Sequence, residues 1–168
     1  STMKKKLLLT VYLLTLLTFM SCTVLAADVI NVSTAEELVN AAESAGTKII
    51  NVISPISLDS SISLDGNTGD VTITGEAITR APGFTGCMFS LGRSYAYTSG
   101  AYHYKRDLDY TKATLTLKNI VIDGNKNAVS GSGPIIISIR GGTVHLENAI
   151  LKNNDGYALQ SYYGGIDR

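Results

Sequence analysis

The sequence predicts an all-β fold: a right-handed parallel β-helix, a solenoid of short stacked strands, closed at its start by one short capping α-helix. Three observations predict it. Apolar residues recur in pairs one position apart, a repeat of 29 residues links two stretches of such pairs, and a single helical pattern stands before all of them. A repeat of that length marks an architecture built coil upon coil.

The first segment stands apart from the fold. Met3 is followed by Lys4, Lys5 and Lys6, then by an apolar run from Leu7 to Met20 broken only by Thr10, Thr15 and Thr18, then by Val24-Leu25-Ala26-Ala27. A basic start, a short apolar stretch and small residues at a cleavage point describe a secretory leader. The leader is therefore assigned to residues 1–26, with cleavage after Ala26 or Ala27. Residues 27–168 form the mature part, expected to be the N-terminal portion of a longer β-helix whose later coils are missing. Two other fates are open for the leader: an uncleaved membrane anchor, or a lipid anchor at Cys22. Without the leader, Cys87 is the lone cysteine, so no internal disulfide is expected and a buried thiol is the plain expectation. Loss of the three leader lysines leaves 11 basic residues against 14 acidic ones, a mild acidity that argues against nucleic acid as a partner.

In the mature part, Ser33-Thr34-Ala35-Glu36-Glu37 opens a helix, since each hydroxyl residue has a glutamate three positions on. Leu38, Ala41, Ala42 and Ala45 form its apolar stripe, and Gly46 offers a left-handed stop. After Thr47 the period becomes two. The pairs are Ile50/Val52, Ile56/Leu58, Ile62/Leu64, Val71/Ile73, Phe89/Leu91, Leu115/Leu117, Ile120/Ile122, Ile137/Ile139 and Val144/Leu146, each directing two side chains to one face of a short strand. Thr114-Leu115-Thr116-Leu117-Lys118-Asn119 is echoed by Thr143-Val144-His145-Leu146-Glu147-Asn148, and Asn125 by Asn154. Asn119 and Asn148 fall where one strand bends into the next. Asparagine tolerates a left-handed backbone, and stacked amides can bond along the axis. The helix has a role as the lid that a first coil needs over its bare edges. No matching lid follows Leu159, so self-association through an uncapped last coil is expected.

Val29-Ile30-Asn31-Val32-Ser33-Thr34-Ala35-Glu36-Glu37-Leu38 with Thr47-Lys48-Ile49-Ile50-Asn51-Val52 resembles the opening of pectate-lyase-like β-helix proteins. Ile78-Thr79-Arg80-Ala81-Pro82-Gly83-Phe84-Thr85-Gly86, followed by Ala113 to Asn125, is similar to the large surface proteins and adhesins of Gram-positive bacteria. The resemblance implies an extracellular β-helix, often part of a long cell-surface protein. It does not imply lyase activity.

Chemistry is sparse. A lyase would need clustered carboxylates holding calcium and a base beside a uronate carboxylate. Asp123-Gly124-Asn125-Lys126-Asn127 and Asn153-Asn154-Asp155-Gly156 read as turns. Arg80, Arg106 and Arg140 are scattered, and His103 (in a loop) and His145 (on a strand's outer side) are too far apart in sequence to suggest a metal site. No catalytic residue, metal ligand or cofactor is assigned; calcium enters only under the lyase alternative. The unusual segment is Ser94 to Tyr110, expected to bulge from one coil as a loop. It holds Tyr95, Tyr97, Tyr102, Tyr104 and Tyr110, five of the nine tyrosines, with Lys105, Arg106, Asp107 and Asp109 among them. Tyrosine presents a flat apolar face with a hydroxyl at its edge, which suits sugar rings; the plainer alternative is that these rings cover the outer face of the strands. The expected function is a secreted or cell-surface structural or adhesive protein contacting polysaccharide or host and cell-surface glycans, with the membrane met only through the leader or an anchor. The alternative is the first part of a polysaccharide lyase or glycoside hydrolase with its cleft beyond residue 168.

Overall fold

The structure, a computed structural model, describes residues 28–92, 95–98, 101–104, 113–139 and 142–162. The leader assigned above lies outside the described residues. Among the described residues no helix is long and apolar enough to cross a membrane.

The chain is mostly β, with three parallel sheets and one helix among the described residues. Strand β1 (Val29–Val32) leads into helix α1 (Ala35–Glu43). Four circuits follow, each giving one strand to each sheet in the same order. They are β2 (Lys48–Val52), β3 (Ile56–Leu58) and β4 (Ile62–Leu64); β5 (Asp70–Gly75), β6 (Ile78–Arg80) and β7 (Phe89–Leu91); β10 (Thr114–Lys118), β11 (Val121–Asp123) and β12 (Ile136–Ile139); and β13 (Thr143–Glu147), β14 (Ile150–Lys152) and β15 (Leu159–Tyr162). Between β7 and β10 stands an antiparallel hairpin, β8 (Tyr95–Thr98) with β9 (Ala101–Tyr104). Sheet A runs β1-β2-β5-β10-β13, sheet B runs β3-β6-β11-β14, and sheet C runs β4-β7-β12-β15.

Register places like on like. Ile30, Ile50, Ile73, Leu117 and Leu146 are successive partners across sheet A. Ile56, Ile78, Ile122 and Leu151 form the corresponding column in sheet B, and Ile62, Phe89, Ile136 and Leu159 that in sheet C. Ile50, Ile73, Leu117, Ile78, Ile122, Phe89 and Ile136 are fully buried. Neighbouring strands lie roughly 4.8 Å apart, so each side chain in a column rests on the one before it. Burying one such side chain stabilises by about 1.5–3 kcal/mol. Among the described residues the fourth circuit is followed by no further strand, and its column residues Leu146 and Leu159 are 46% and 43% exposed.

The sequence repeat is realised in full register, Thr114 through Lys118 against Thr143 through Glu147. Two expected details differ. In β12 the inward residues are Ile136 and Ser138, while Ile137 is only half-buried. The run Ile135-Ile136-Ile137 carries no alternation, so pairing with Phe89 and Leu91 decides which residues point inward. Ser138 is tolerated inside because its hydroxyl donates to the Gly142 carbonyl at 2.9 Å. The second difference is at the turn after sheet B. Asn125 (φ 53°) and Asn153 (φ 51°) take the left-handed backbone, so the conformational counterpart of Asn125 lies one residue before Asn154.

The helix begins as its sequence dictates, with Thr34 as N-cap. The Glu37 amide donates to Thr34 Oγ1 (3.2 Å), and Glu37 Oε2 accepts from the Thr34 and Ser33 amides (3.2 and 2.7 Å). Leu38 and Ala42 are buried in the core, and the helix packs against β1 through β4, covering the first circuit. The helix ends at Ser44 in an extended conformation. Gly46 (φ 89°) turns the chain two residues later, not at the cap itself. The final carbonyls are met instead by a lysine. Lys48, 4% exposed, donates from Nζ to the carbonyls of Ala42 (3.4 Å), Ser44 and Thr68 (3.2 Å). A cation there also complements the negative end of the helix dipole, while burial holds its pKa below the usual lysine range.

The hydrogen bonds from Ser33 and Thr34 hold the Glu37 carboxyl below its ordinary value of 4.5. A depressed carboxyl contributes stability that is present above that value and lost as pH falls through the folded one. We expect thermal melts of the wild type to fall in this window and those of Glu37→Gln to be flatter across it, with the two converging in acid. Parallel curves would show that the capping box does not carry this pH dependence.

Candidate ligand-contacting surfaces

Within the tyrosine-rich segment, expected as a loop, the described residues 95–98 and 101–104 pair as the antiparallel strands β8 and β9. Their register pairs Tyr95 with Tyr104, Ala96 with His103, Tyr97 with Tyr102 and Thr98 with Ala101. Successive strand positions alternate between faces, so the positions of Tyr95, Tyr97, Tyr102 and Tyr104 share one face of the ribbon. Those of Ala96, Thr98, Ala101 and His103 share the other. His103 thus belongs to a strand. Tyr110, with Lys105, Arg106, Asp107 and Asp109, lies outside the described residues. The hairpin lengthens its circuit: partner residues in sheet A are separated by 23, 44 and 29 residues (Lys48 to Val71, Val71 to Leu115, Leu115 to Val144), yet β5 and β10 remain in register.

A second surface lies at the corner from sheet A to sheet B. A solvent-open groove of 330 Å³ is lined by Gly75, Glu76, Ala77, Asn119, Ile120 and Val121, with Asn148 and Ile150 below. Asn119 (φ 48°) and Asn148 (φ 49°) turn this corner with left-handed backbones, and Asn148 Nδ2 donates to Asn119 Oδ1 at 2.8 Å. In the circuit before, Gly75 (φ 109°) takes the corner, where a Cβ would lie 2.3 Å from the Val52 carbonyl oxygen. Only glycine fits there. One position before the corner, on the strands of sheet A, Asn51 Nδ2 donates to Asn31 Oδ1 at 2.9 Å and Lys118 pairs with Glu147 at 2.9 Å on the exposed side.

The acidic turns are engaged in holding the turns themselves. Asp123 Oδ1 accepts from the Asn125 amide (2.8 Å), and its Oδ2 accepts from Asn153 Nδ2 (3.0 Å) and faces Lys152 Nζ at 3.6 Å. Asp155 accepts from the Gly131 amide. Among the described residues no group of three or more His, Cys, Asp or Glu is placed to hold a metal ion. Cys87 precedes β7 and is half-buried; Ser61 Oγ donates to its carbonyl at 2.6 Å. His145 is exposed on β13.

Sequence reasoning passed over Arg80, which appeared as one of three scattered arginines. It is fully buried, two positions after Ile78 on β6, in the inward phase of that strand. That phase was the available clue: period two from Ile78 reaches position 80. Arg106 and Arg140 lie outside the described residues.

No family model, curated protein or solved structure matches the chain.

If the left-handed corner is what asparagine supplies, Asn119→Ala costs about 1–3 kcal/mol, from backbone strain and one lost hydrogen bond. Asn119→Gly then costs less, because glycine accepts the same φ. Denaturant titration of both variants decides this; a glycine variant as weak as the alanine one would move the whole effect to the amide ladder.

Proposed function

We propose that this chain is a secreted or cell-surface right-handed parallel β-helix with a structural or adhesive role. In it the stacked body is a rigid support and the tyrosine ribbon contacts polysaccharide or cell-surface glycan. Four circuits visiting three parallel sheets in one order, beneath a helix that covers the first, support the β-helix. So do the resemblance of the segment around α1 to the opening of pectate-lyase-like β-helix proteins and that of the segments around β6 and β10–β11 to large surface proteins and adhesins of Gram-positive bacteria. The basic start, apolar run and small-residue site of the first 26 residues support export.

The single observation that carries the glycan-contact proposal is the hairpin register, which gives one ribbon face four tyrosine positions in two facing pairs. Pyranose rings have an apolar face and a rim of hydroxyls, and tyrosine matches both, with ring contact and a phenolic hydrogen-bonding group. A ribbon set between in-register strands is a functional loop on a fixed scaffold. No catalytic step is assigned to these residues.

A glycan array tests the contact. Wild type is expected to bind a polysaccharide class that Tyr102→Ala/Tyr104→Ala binds at least about tenfold more weakly, a loss of 1.4 kcal/mol or more. His103→Ala, on the other face of the ribbon, should bind as wild type does. Equal binding by wild type and the double variant, or no binding by either, removes the proposal, and calcium-dependent release of unsaturated uronates would favour a lyase in its place. Export has its own check: expressed with its leader in a Gram-positive host, the protein should reach the medium or cell surface beginning at Ala27 or Asp28 by mass spectrometry. Recovery only in the cytoplasm with Lys4–Lys6 intact would refute it.

A further inference from the structure

Arg80 is a full positive charge with no exposed surface and no carboxylate among its hydrogen-bond partners. Its partners are oxygens of uncharged groups. Nη1 donates to the carbonyls of Phe84 (3.4 Å) and Gly86, and Nη2 to those of Gly133 (3.1 Å) and Pro134 (3.4 Å) and to Asn154 Oδ1 (3.2 Å). The guanidinium lies 5.3 Å from the centroid of the Phe84 ring, within cation–π range. Nε is buried without a partner. The oxygens come from three successive turns between sheets B and C: residues 81–88, 124–135 and 153–158.

These turns are shaped for that charge. Asn154 is oriented by donating through Nδ2 to the Gly133 and Tyr157 carbonyls, both at 3.0 Å, which leaves its Oδ1 to accept from Arg80 and from Ser132 Oγ (3.3 Å). Asn125 Nδ2 donates to the Arg80 carbonyl at 2.9 Å, fixing the backbone from which the side chain extends. At Gly133 a Cβ would lie 3.1 Å from the Cys87 amide nitrogen, and at Gly124 one would lie 2.3 Å from Asn154 Oδ1. Both glycines let adjacent turns approach closely. Five carbonyl-type oxygens gathered in the interior repel one another unless a cation lies among them, and a buried cation is retained only where hydrogen bonds replace its water.

We propose that these oxygens form a planar-cation site built into the fold, with the Arg80 guanidinium as its resident ligand clasping the second, third and fourth circuits together. The site's specificity is for a flat, delocalised cation with several N–H donors, a shape that a lysine ammonium or a simple metal ion does not share. Cutting the side chain back should therefore leave a pocket that a free guanidinium ion can fill.

The experiment is chemical rescue of full-length Arg80→Ala. Its melting temperature should fall well below that of wild type and then rise saturably with millimolar guanidinium chloride, as for any ligand that binds only the folded state. Sodium, potassium and calcium chloride at equal ionic strength should not restore it, and wild type should gain nothing from guanidinium. Adding Asn154→Ala should weaken the rescue. If Arg80→Ala does not fold alone, refolding from urea is repeated with guanidinium present, and recovery of the β circular-dichroism spectrum only in its presence supports the site. No rescue by guanidinium in either format, or equal rescue by every salt, overturns the proposal.

Discussion

Every feature of this protein depends on side chains stacking in register along the three parallel sheets. A strand of three residues, such as β3, β6 or β11, has too few hydrogen bonds to persist alone. It persists because its inward residue lies between the inward residues of the strands on either side, as Ile78 lies between Ile56 and Ile122. The unit of stability is therefore the column. Where a column has a neighbour on each side, burial is complete; in the fourth circuit, with one neighbour among the described residues, Leu146 and Leu159 stay nearly half exposed.

Keeping columns aligned places strict demands on the corners. A strand must end, turn and restart with the same rise as the one beside it, which leaves few backbone solutions. At the corner from sheet A to sheet B the chain meets this with a residue at positive φ: Gly75, Asn119 and Asn148 in successive circuits. Asn148 also donates from its side-chain amide to the Asn119 side-chain oxygen, so the groove at this corner is lined by polar groups already occupied in part by the fold. The corner from sheet B to sheet C is solved differently. Its turns are longer and point carbonyls inward, and Arg80 meets those carbonyls from within. Lys48 does the same for the end of α1 and the Thr68 carbonyl. Two buried cations, each with carbonyls and at most one amide as partners, provide donors where the backbone itself has none to spare.

Much of the architecture was legible because hydrophobic alternation and stacking are the same fact seen twice. Pairs such as Val71/Ile73 and Leu115/Leu117 carry the period in sequence and the column in space. Thr34 and Glu37 likewise announced their capping box. What escaped was what alternation cannot encode. Ile135 to Ile137 is apolar throughout, so its phase depends on Phe89 and Leu91, which lie far away in sequence. Arg80 occupies an inward position with a residue type expected outside, and its justification is spread over residues 84 to 154. The hairpin of tyrosines looked like a loop because Tyr-x-Tyr spacing was read as composition, although its two-residue period is also that of a strand.

The unequal circuits bear on where function can reside. Between β5 and β10 the chain spends 44 residues, against 23 and 29 for the circuits on either side, and still returns Leu115 onto Val71 and Leu117 onto Ile73. Column stacking fixes where a strand must land and is indifferent to the length of chain that brings it there, since loop closure grows only slowly more costly with length. An insertion between β7 and β10 can thus vary in sequence and shape without disturbing the core. The body, by contrast, cannot accept a new side chain at Gly75, Gly124 or an inward column position without displacing a neighbour. A fold divided in this way leaves variation to its insertions and outer corners, and the β8–β9 ribbon is the insertion that carries four tyrosine positions on one face.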